Sequence, residues 1–215
     1  MTAGDLRERL RDVYWVGGSP GAGKSTVARR LAGRFGLDLY VTDDVMRDHG
    51  RRSSAADAPH IARFAAMDMD ERWLTRSPRV MLETFPWFRG EAFDLLVEDL
   101  LRRPAGTGVV AEGFRLLPRL VAPLLADPGH AVWLLPTPAF RAAALESRGS
   151  TWTLAGATSD PERARRNLIE RDTMFTDRLI AETGRLRLPV VRLDGNGPDE
   201  DAVADRVARM FGLVT

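Results

Sequence analysis

The sequence predicts an α/β fold, a five-stranded parallel sheet between two layers of helices, on three observations. Short runs rich in β-branched and aromatic residues alternate with longer amphipathic stretches, the pattern of βα units wound onto one sheet. The chain has 215 residues, 44% of them hydrophobic, enough to bury the core of one domain. A glycine-rich turn lies between the first strand-like run and the first helix-like one.

The elements follow in chain order. Val13 to Val16 forms the first strand, and the helix after Lys24 carries its apolar face through Val27 to Phe35. Leu39 to Thr42 is the second strand, and Asp44 is a candidate N-cap for a helix through Val45 to Asp48. Helices are expected around Ile61 to Thr75 and through Phe88 to Arg103, where Phe93, Leu96, Val97, Leu100 and Leu101 recur at helical spacing and read as core. The third strand is Val109 to Ala111, followed by a helix around Arg119 to Ala126 and a fourth strand at Ala131 to Leu135. A helix through Glu162 to Glu182, a last strand at Val190 to Leu193 and a helix through Glu200 to Phe211 complete the chain. Roughly 65 residues separate the second and third strands, far more than a usual βα connection, so a helical insertion of about residues 45–105 is expected over one end of the sheet. No linker sets it apart, and residues 1–215 read as one domain.

Composition narrows the function classes. The 31 basic and 30 acidic residues leave a formal charge of +1, which argues against a general nucleic-acid or membrane-surface binder. The absence of cysteine excludes disulfides, thiolate zinc sites and cysteine nucleophiles, and fits a reducing cytoplasm. Met1 to Asp12 has no apolar core of a secretory signal, and no apolar run approaches the ~20 residues a bilayer requires. His49, His60 and His130 lack ligand spacing, so no metal site beyond magnesium is expected. Of the 31 cations, 30 are arginine and one, Lys24, is lysine.

That lysine sits in the strongest motif of the chain. Gly18-Ser19-Pro20-Gly21-Ala22-Gly23-Lys24-Ser25 fits G-x-x-x-x-G-K-[ST] at every fixed position, between a strand and a helix. Glycines let the backbone turn tightly and aim successive N–H groups inward, so residues 18–25 and Thr26 form an anion cradle at a helix N-terminus. Lys24 would reach the outer phosphates as a compact point charge, a slot that a planar guanidinium does not fit. Ser25 would ligate magnesium. Residues 13–36 resemble the opening unit of P-loop nucleoside and nucleotide kinases and related small-molecule phosphotransferases, of the adenylate kinase and chloramphenicol phosphotransferase kind. The resemblance extends weakly over the whole chain. It implies a P-loop NTPase three-layer sandwich with five parallel strands, with ATP and Mg2+ at their carboxyl edge.

Thr42-Asp43-Asp44 follows the second strand, where ligand chemistry collects in such sheets. Phosphoryl transfer to a hydroxyl needs one carboxylate beside the γ-phosphate to take the proton, and the resembling kinases carry an aspartate here. Asp43 is the candidate base, with Asp44 a helper on the acceptor side or a helix cap. The third strand runs into Glu112-Gly113-Phe114-Arg115, similar to the Asp-Gly-Phe-Pro-Arg run of adenylate kinases with Glu in place of Asp and without the Pro-Arg pair. On that resemblance Glu112 orients magnesium and Arg115 faces the acceptor; Glu112 paired with an arginine is the structural alternative.

After the fourth strand come Arg141 and Arg148, a Gly/Ser/Thr-rich stretch, and then Arg163, Arg165, Arg166 and Arg171. This resembles a short lid, about residues 148–165, that would bring guanidinium groups onto the phosphates. Arg148 and Arg166 are the preferred catalytic pair, with Arg141 assigned to the nucleotide and Arg165 close behind. The loop from Asp194 to Pro198 resembles the segment bordering adenine in these kinases. On the acceptor side stand Arg47 with its neighbours Arg51 and Arg52, and the run Glu83-Thr84-Phe85-Pro86-Trp87-Phe88. Its aromatic residues either stack on a ring-bearing acceptor or plug the insertion onto the sheet.

Three function classes are weighed. The first is an ATP- and magnesium-dependent kinase of a small molecule such as a nucleoside, nucleotide, sugar or antibiotic-like compound, acting on a hydroxyl or phosphate. The second, a nucleotide-operated switch or regulatory ATPase, meets the absence of an Asn-Lys-x-Asp run, which a chain with Lys24 alone cannot contain, and of an Asp-x-x-Gly pattern in strand three. The third, a 5′-hydroxyl polynucleotide kinase gripping its substrate through Arg47 to Arg52, is disfavoured by the near-neutral charge. Oligomeric state is not legible.

Overall fold

The structure, a computed structural model, describes residues 2–104, 106–137, 140, 150–194 and 199–213. Five strands, β1 (Val13–Gly18), β2 (Asp38–Val41), β3 (Val109–Glu112), β4 (Ala131–Pro136) and β5 (Val190–Leu193), form one sheet in the order β2-β3-β1-β4-β5. Every pairing is parallel. The strand runs read from the sequence therefore lie in one sheet, with ends shifted by two residues at most.

Strand periodicity explains the layering. Along β4, Ala131, Trp133 and Leu135 point into one apolar cluster while Val132 and Leu134 point into the other. Buried on both sides, the strand reads as a continuous apolar run, as parallel sheets do. One face is covered by α2 (Lys24–Phe35), through Val27, Ala28 and Leu31, and by the C-terminal helix Glu200–Met210, through Ala204, Val207 and Ala208. The long helix Pro161–Leu186 crosses the other face with Leu168, Phe175 and Leu179 in the core. A short first helix, α1 (Ala3–Arg9), is held by a capping box between Thr2 and Asp5.

Between β2 and β3 the chain makes six short helices: α3 (Met46–Arg52), α4 (Pro59–Ala66), α5 (Met69–Trp73), α6 (Pro78–Thr84), α7 (Pro86–Arg89) and α8 (Phe93–Leu101). Two expected longer helices are thus broken, each for a local reason. Asp68 accepts from the Glu71 N–H and Glu71 returns to the Asp68 N–H, so a capping box restarts the chain inside Ile61 to Thr75. Within Phe88 to Arg103, Gly90 and Ala92 take positive φ of 91° and 56° and stop α7 before α8 begins. Arg119 to Ala126 resolves into α9 (Pro118–Val121) and a 3-10 turn. Beyond β4, α10 (Ser150–Gly156) leads through a turn to the long helix, α11 (Pro161–Leu186), and α12 (Glu200–Met210) follows β5.

Register positions the chemistry. Val16 pairs with Glu112, and Glu112 with Val41, so β2 and β3 end level while β1 runs two residues further, to Gly18. The Thr42 N–H donates to Glu112 O at 2.9 Å and the Gly113 N–H to Val16 O at 3.2 Å. Gly113, at φ 148°, lies so close to Thr42 that a side chain has no room there. Among the described residues no helix is long and apolar enough to cross a membrane.

Candidate functional site

The glycine-rich loop leaves the carboxyl end of β1, the middle strand, where the sheet's connections diverge to either side. Gly18, Gly21 and Gly23 take φ of 135°, 75° and 72°, conformations that suit glycine. Gly23 is the N-cap of α2; no side chain caps the helix and its first turn holds no acidic residue. A helix start left in that state favours an anion. Lys24 is buried at 7% exposure, its Nζ donating to Ser19 O at 2.8 Å. Burial lowers its pKa, against the pull of Glu112, Asp43 and Asp172. Ser19 Oγ is buried without a partner.

Two carboxylates stand beside the lysine. The Ser25 hydroxyl donates to Glu112 Oε1 at 2.7 Å, so the expected magnesium pair is in contact. Desolvation raises the Glu112 pKa, partly offset by Ser25 and Lys24. These hard oxygen donors suit Mg2+, which keeps several waters and is commonly shared with phosphate oxygens. Among the described residues no group of three or more histidines and carboxylates gathers to hold a metal alone. Asp43 receives a long hydrogen bond from Thr42 Oγ1, 3.4 Å, and its pKa is raised, chiefly by desolvation, against Lys24.

Lys24, Ser25 and Asp43 border a cavity of about 520 Å³, which Glu112 does not line. Residues 20–25 and Asp43 line one end. The aromatic part of the wall is built by Phe64, Trp73, Phe85, Trp87, Phe88 and Phe114, from the insertion and the loop after β3. Phe85, Trp87 and Phe88 are 0–7% exposed and packed into the core, as the plugging alternative expects, and they lie along the cavity wall. Phe88 stacks on Phe175 with ring centroids 3.7 Å apart. Opposite, α11 contributes Leu168, Ile169, Arg171 and Asp172.

Several expected residues lie elsewhere. Arg115 is 2% exposed and does not line the cavity; its guanidinium donates to Thr42 O, Ala92 O and His49 Nδ1 at 3.1, 3.1 and 2.9 Å and covers the Trp87 ring at 4.4 Å. Burial pushes it down to about 10. Burial also lowers the His49 pKa; the neutral ring accepts from Arg115 and donates through Nε2 to Asp99 at 2.7 Å. Arg115 thus braces the aromatic wall from behind. Glu83 points to the surface, where its carboxylate accepts from Arg178 at 2.7 Å. Asp44 and Arg47 are exposed and outside the cavity lining, and the N-cap of α3 is Val45, not Asp44, with no side-chain cap. Arg51 and Arg52 pair with Asp48, and Arg52 also with Glu98 and Asp99, which spends the basic run on local ion pairs. Arg166 is exposed, about 100° around α11 from Arg165, which shares the helix stripe of Ile169 and Asp172. Arg141, Arg148 and the loop 195–198 lie outside the described residues.

Arg171, named in the sequence only among the arginines that follow the lid stretch, lines the cavity. It occupies the apolar stripe Ala164, Leu168, Arg171, Phe175 and Leu179, all buried, and an arginine in that register is the signal that marks it. Its Nε and Nη2 donate to Asp172 Oδ1 at 2.8 and 2.7 Å. Its guanidinium lies over Trp73, Phe85 and Phe88 at 5.2, 5.2 and 5.3 Å.

An all-parallel sheet with a phosphate-type loop at its central strand fits a P-loop nucleotide kinase-like protein. Among curated proteins the chain is similar to the adenylate kinase of Deinococcus deserti (strain DSM 17065 / CIP 109153 / LMG 22923 / VCD115), 36% identical over 96 residues, a match covering 39% of this chain and 49% of that protein. The chain spans about half the length of the curated relative it matches. No protein-family profile matches the chain.

Proposed function

We propose that the protein transfers the γ-phosphate of ATP to a small molecule held at the aromatic end of the cavity. One observation carries this reading: the loop suited to phosphates, a carboxylate and a chamber of ligand size share one cavity. Similarity to an adenylate kinase supports it. In the reaction the acceptor oxygen attacks the γ-phosphorus as the bond to the β–γ bridging oxygen breaks, and ADP leaves. With a hydroxyl acceptor, Asp43 takes the proton. Residues 18–26 hold the phosphates, with Lys24 over the developing charge. Ser25 and Glu112 would hold magnesium, which supplies neutralisation of phosphate charge.

Incubation with γ-labelled ATP and a panel of nucleosides, nucleotides, sugars and aromatic alcohols is expected to move label onto one class of compound. Label appearing only as inorganic phosphate, with every acceptor, would contradict the proposal and favour an ATPase.

Acid sensitivity follows from the raised Asp43 carboxyl. The base works only ionised, and a raised pKa leaves it protonated at pH values where an ordinary aspartate, near 3.8, has lost its proton. The acid limb of the kcat/KM profile is therefore expected above 3.8. A profile flat down to that value would remove Asp43 from the role.

A further inference from the structure

Asp43 follows a residue that is clamped on three sides. Thr42, 0% exposed, comes directly after the last paired residue of β2, and its N–H donates to Glu112 O at 2.9 Å. Its side chain fills the space that a Cβ on Gly113 would take. Its carbonyl, which belongs to the peptide bond joining it to Asp43, accepts from Arg115 Nη1 at 3.1 Å. The strand thus holds one side of Thr42, and a side chain from beyond β3 holds the other.

A guanidinium is a costly means of holding one carbonyl. Arg115 is 2% exposed, and the groups it donates to, Thr42 O, Ala92 O and His49 Nδ1, carry no full charge. Burying a cation among neutral acceptors costs more than burying an amide that would make the same bond. What the guanidinium adds is a planar fork whose donors point in fixed directions and set their partners relative to one another. Here the fork joins the end of β2, the residue before α8 and the buried side of α3, and its face covers the Trp87 ring at 4.4 Å. Asp43 and Trp87 line the cavity and Arg115 does not, so it stands behind both.

His49 fixes the fork in turn. Arginine has donors only, so Nδ1 accepts and the ring proton lies on Nε2, which donates to Asp99 Oδ2 at 2.7 Å. Asp99 also accepts from the Tyr40 hydroxyl at 2.9 Å and from Arg52 at 3.0 Å.

We propose that Arg115 is a positioning residue of the phosphoryl transfer, holding Thr42 O so that Asp43 keeps its place on the cavity wall, and that His49 holds Arg115 for this task. This rests on the phosphotransferase reading above, in which Asp43 takes the acceptor's proton. Arg115 touches no reacting atom. Its effect passes through the placement of one carboxylate, where a displacement of about 1 Å can cost about 10²-fold in rate.

A double-mutant cycle on the intact protein tests this, with γ-labelled magnesium ATP and the nucleosides, nucleotides, sugars and aromatic alcohols of the panel, read on the compound that takes most label. Arg115→Met is expected to lower kcat by about 10²-fold and His49→Leu by about tenfold, with KM for ATP near the parent's. His49→Asn, whose amide oxygen can accept in place of Nδ1, is expected to stay close to the parent. On an Asp43→Asn background neither Arg115→Met nor His49→Leu is expected to lower kcat further, because the group they position is gone. His49→Leu exchanges a buried ring for an apolar side chain of similar size, and it carries the cycle even where Arg115→Met does not fold. A parental kcat in His49→Leu, or a loss that repeats in full on Asp43→Asn, overturns this inference and leaves phosphoryl transfer standing. A parental kcat in Asp43→Asn alone removes the base and this inference together. Label on no acceptor of any class overturns the phosphotransferase reading itself.

Discussion

Lys24→Ala is expected to lower kcat/KM for ATP by about 10³-fold, the scale of removing a preorganised charge from a buried transition-state site. The ammonium is 7% exposed and rests on Ser19 O at 2.8 Å, within the loop that would surround the phosphates. Glu112, Asp43 and Asp172 all act on it electrostatically. Without it those carboxylates face the incoming phosphates with no compensating lysine. Lys24→Arg is expected to fail nearly as badly, because a planar fork cannot replace a point charge in a closed loop. The chain itself makes the comparison pointed, since every other basic side chain except histidine is arginine. Stability should not follow activity. Burial depresses the Lys24 pKa, so its charge is a cost to the free protein, and the thermal midpoint of Lys24→Ala should stay near that of the parent. Steady-state kinetics with a melting curve on the same preparation check both halves; activity within tenfold of the parent would remove Lys24 from the phosphates.

Asp43→Asn is expected to reduce kcat by about 10²–10⁴-fold with little change in KM for ATP, the range assigned to a positioned general base. The residue lies where β2 ends beside β3, on the wall between the phosphate loop and the aromatic chamber. Asparagine keeps the shape and the Thr42 contact but cannot take a proton. The split between kcat and KM separates a base from a binding group. A kcat within a few-fold of the parent would assign the proton to another acceptor, of which Asp172 is the nearest alternative on the cavity wall.

What the residues announced and what they concealed divides along physical lines. The strands were legible because a sheet buried on both faces demands continuous apolar runs, as at Ala131 to Pro136. The loop was legible because phosphate binding fixes glycines, a lysine and a hydroxyl at set spacing. Ser25 was read toward magnesium from its motif position and Glu112 from a family resemblance, and the two touch at 2.7 Å. The insertion was legible in extent but not in form, since its breaks come from one capping box at Asp68 and Glu71 and from backbone reversals at Gly90 and Ala92. Arginine was the hardest residue to assign. Thirty copies make identity uninformative; resemblance pointed Arg115, and position beside the lid Arg166, toward a cavity that neither lines. Arg115 turns back because β2, α3 and the start of α8 offer it two carbonyls and a histidine nitrogen. Arg171 stood undistinguished among the arginines after the lid stretch, and only its place in a buried helical stripe, beside Leu168 on the cavity wall, sets it apart.

The central claim is that one cavity brings a nucleotide's γ-phosphate and a small acceptor together for direct transfer. Phosphorus NMR of the protein with magnesium ATP and a productive acceptor tests it most directly. The account predicts that a phosphomonoester resonance grows in step with ADP, one for one, and that neither grows in Lys24→Ala. ADP appearing together with inorganic phosphate alone, at a rate indifferent to any acceptor, would contradict it.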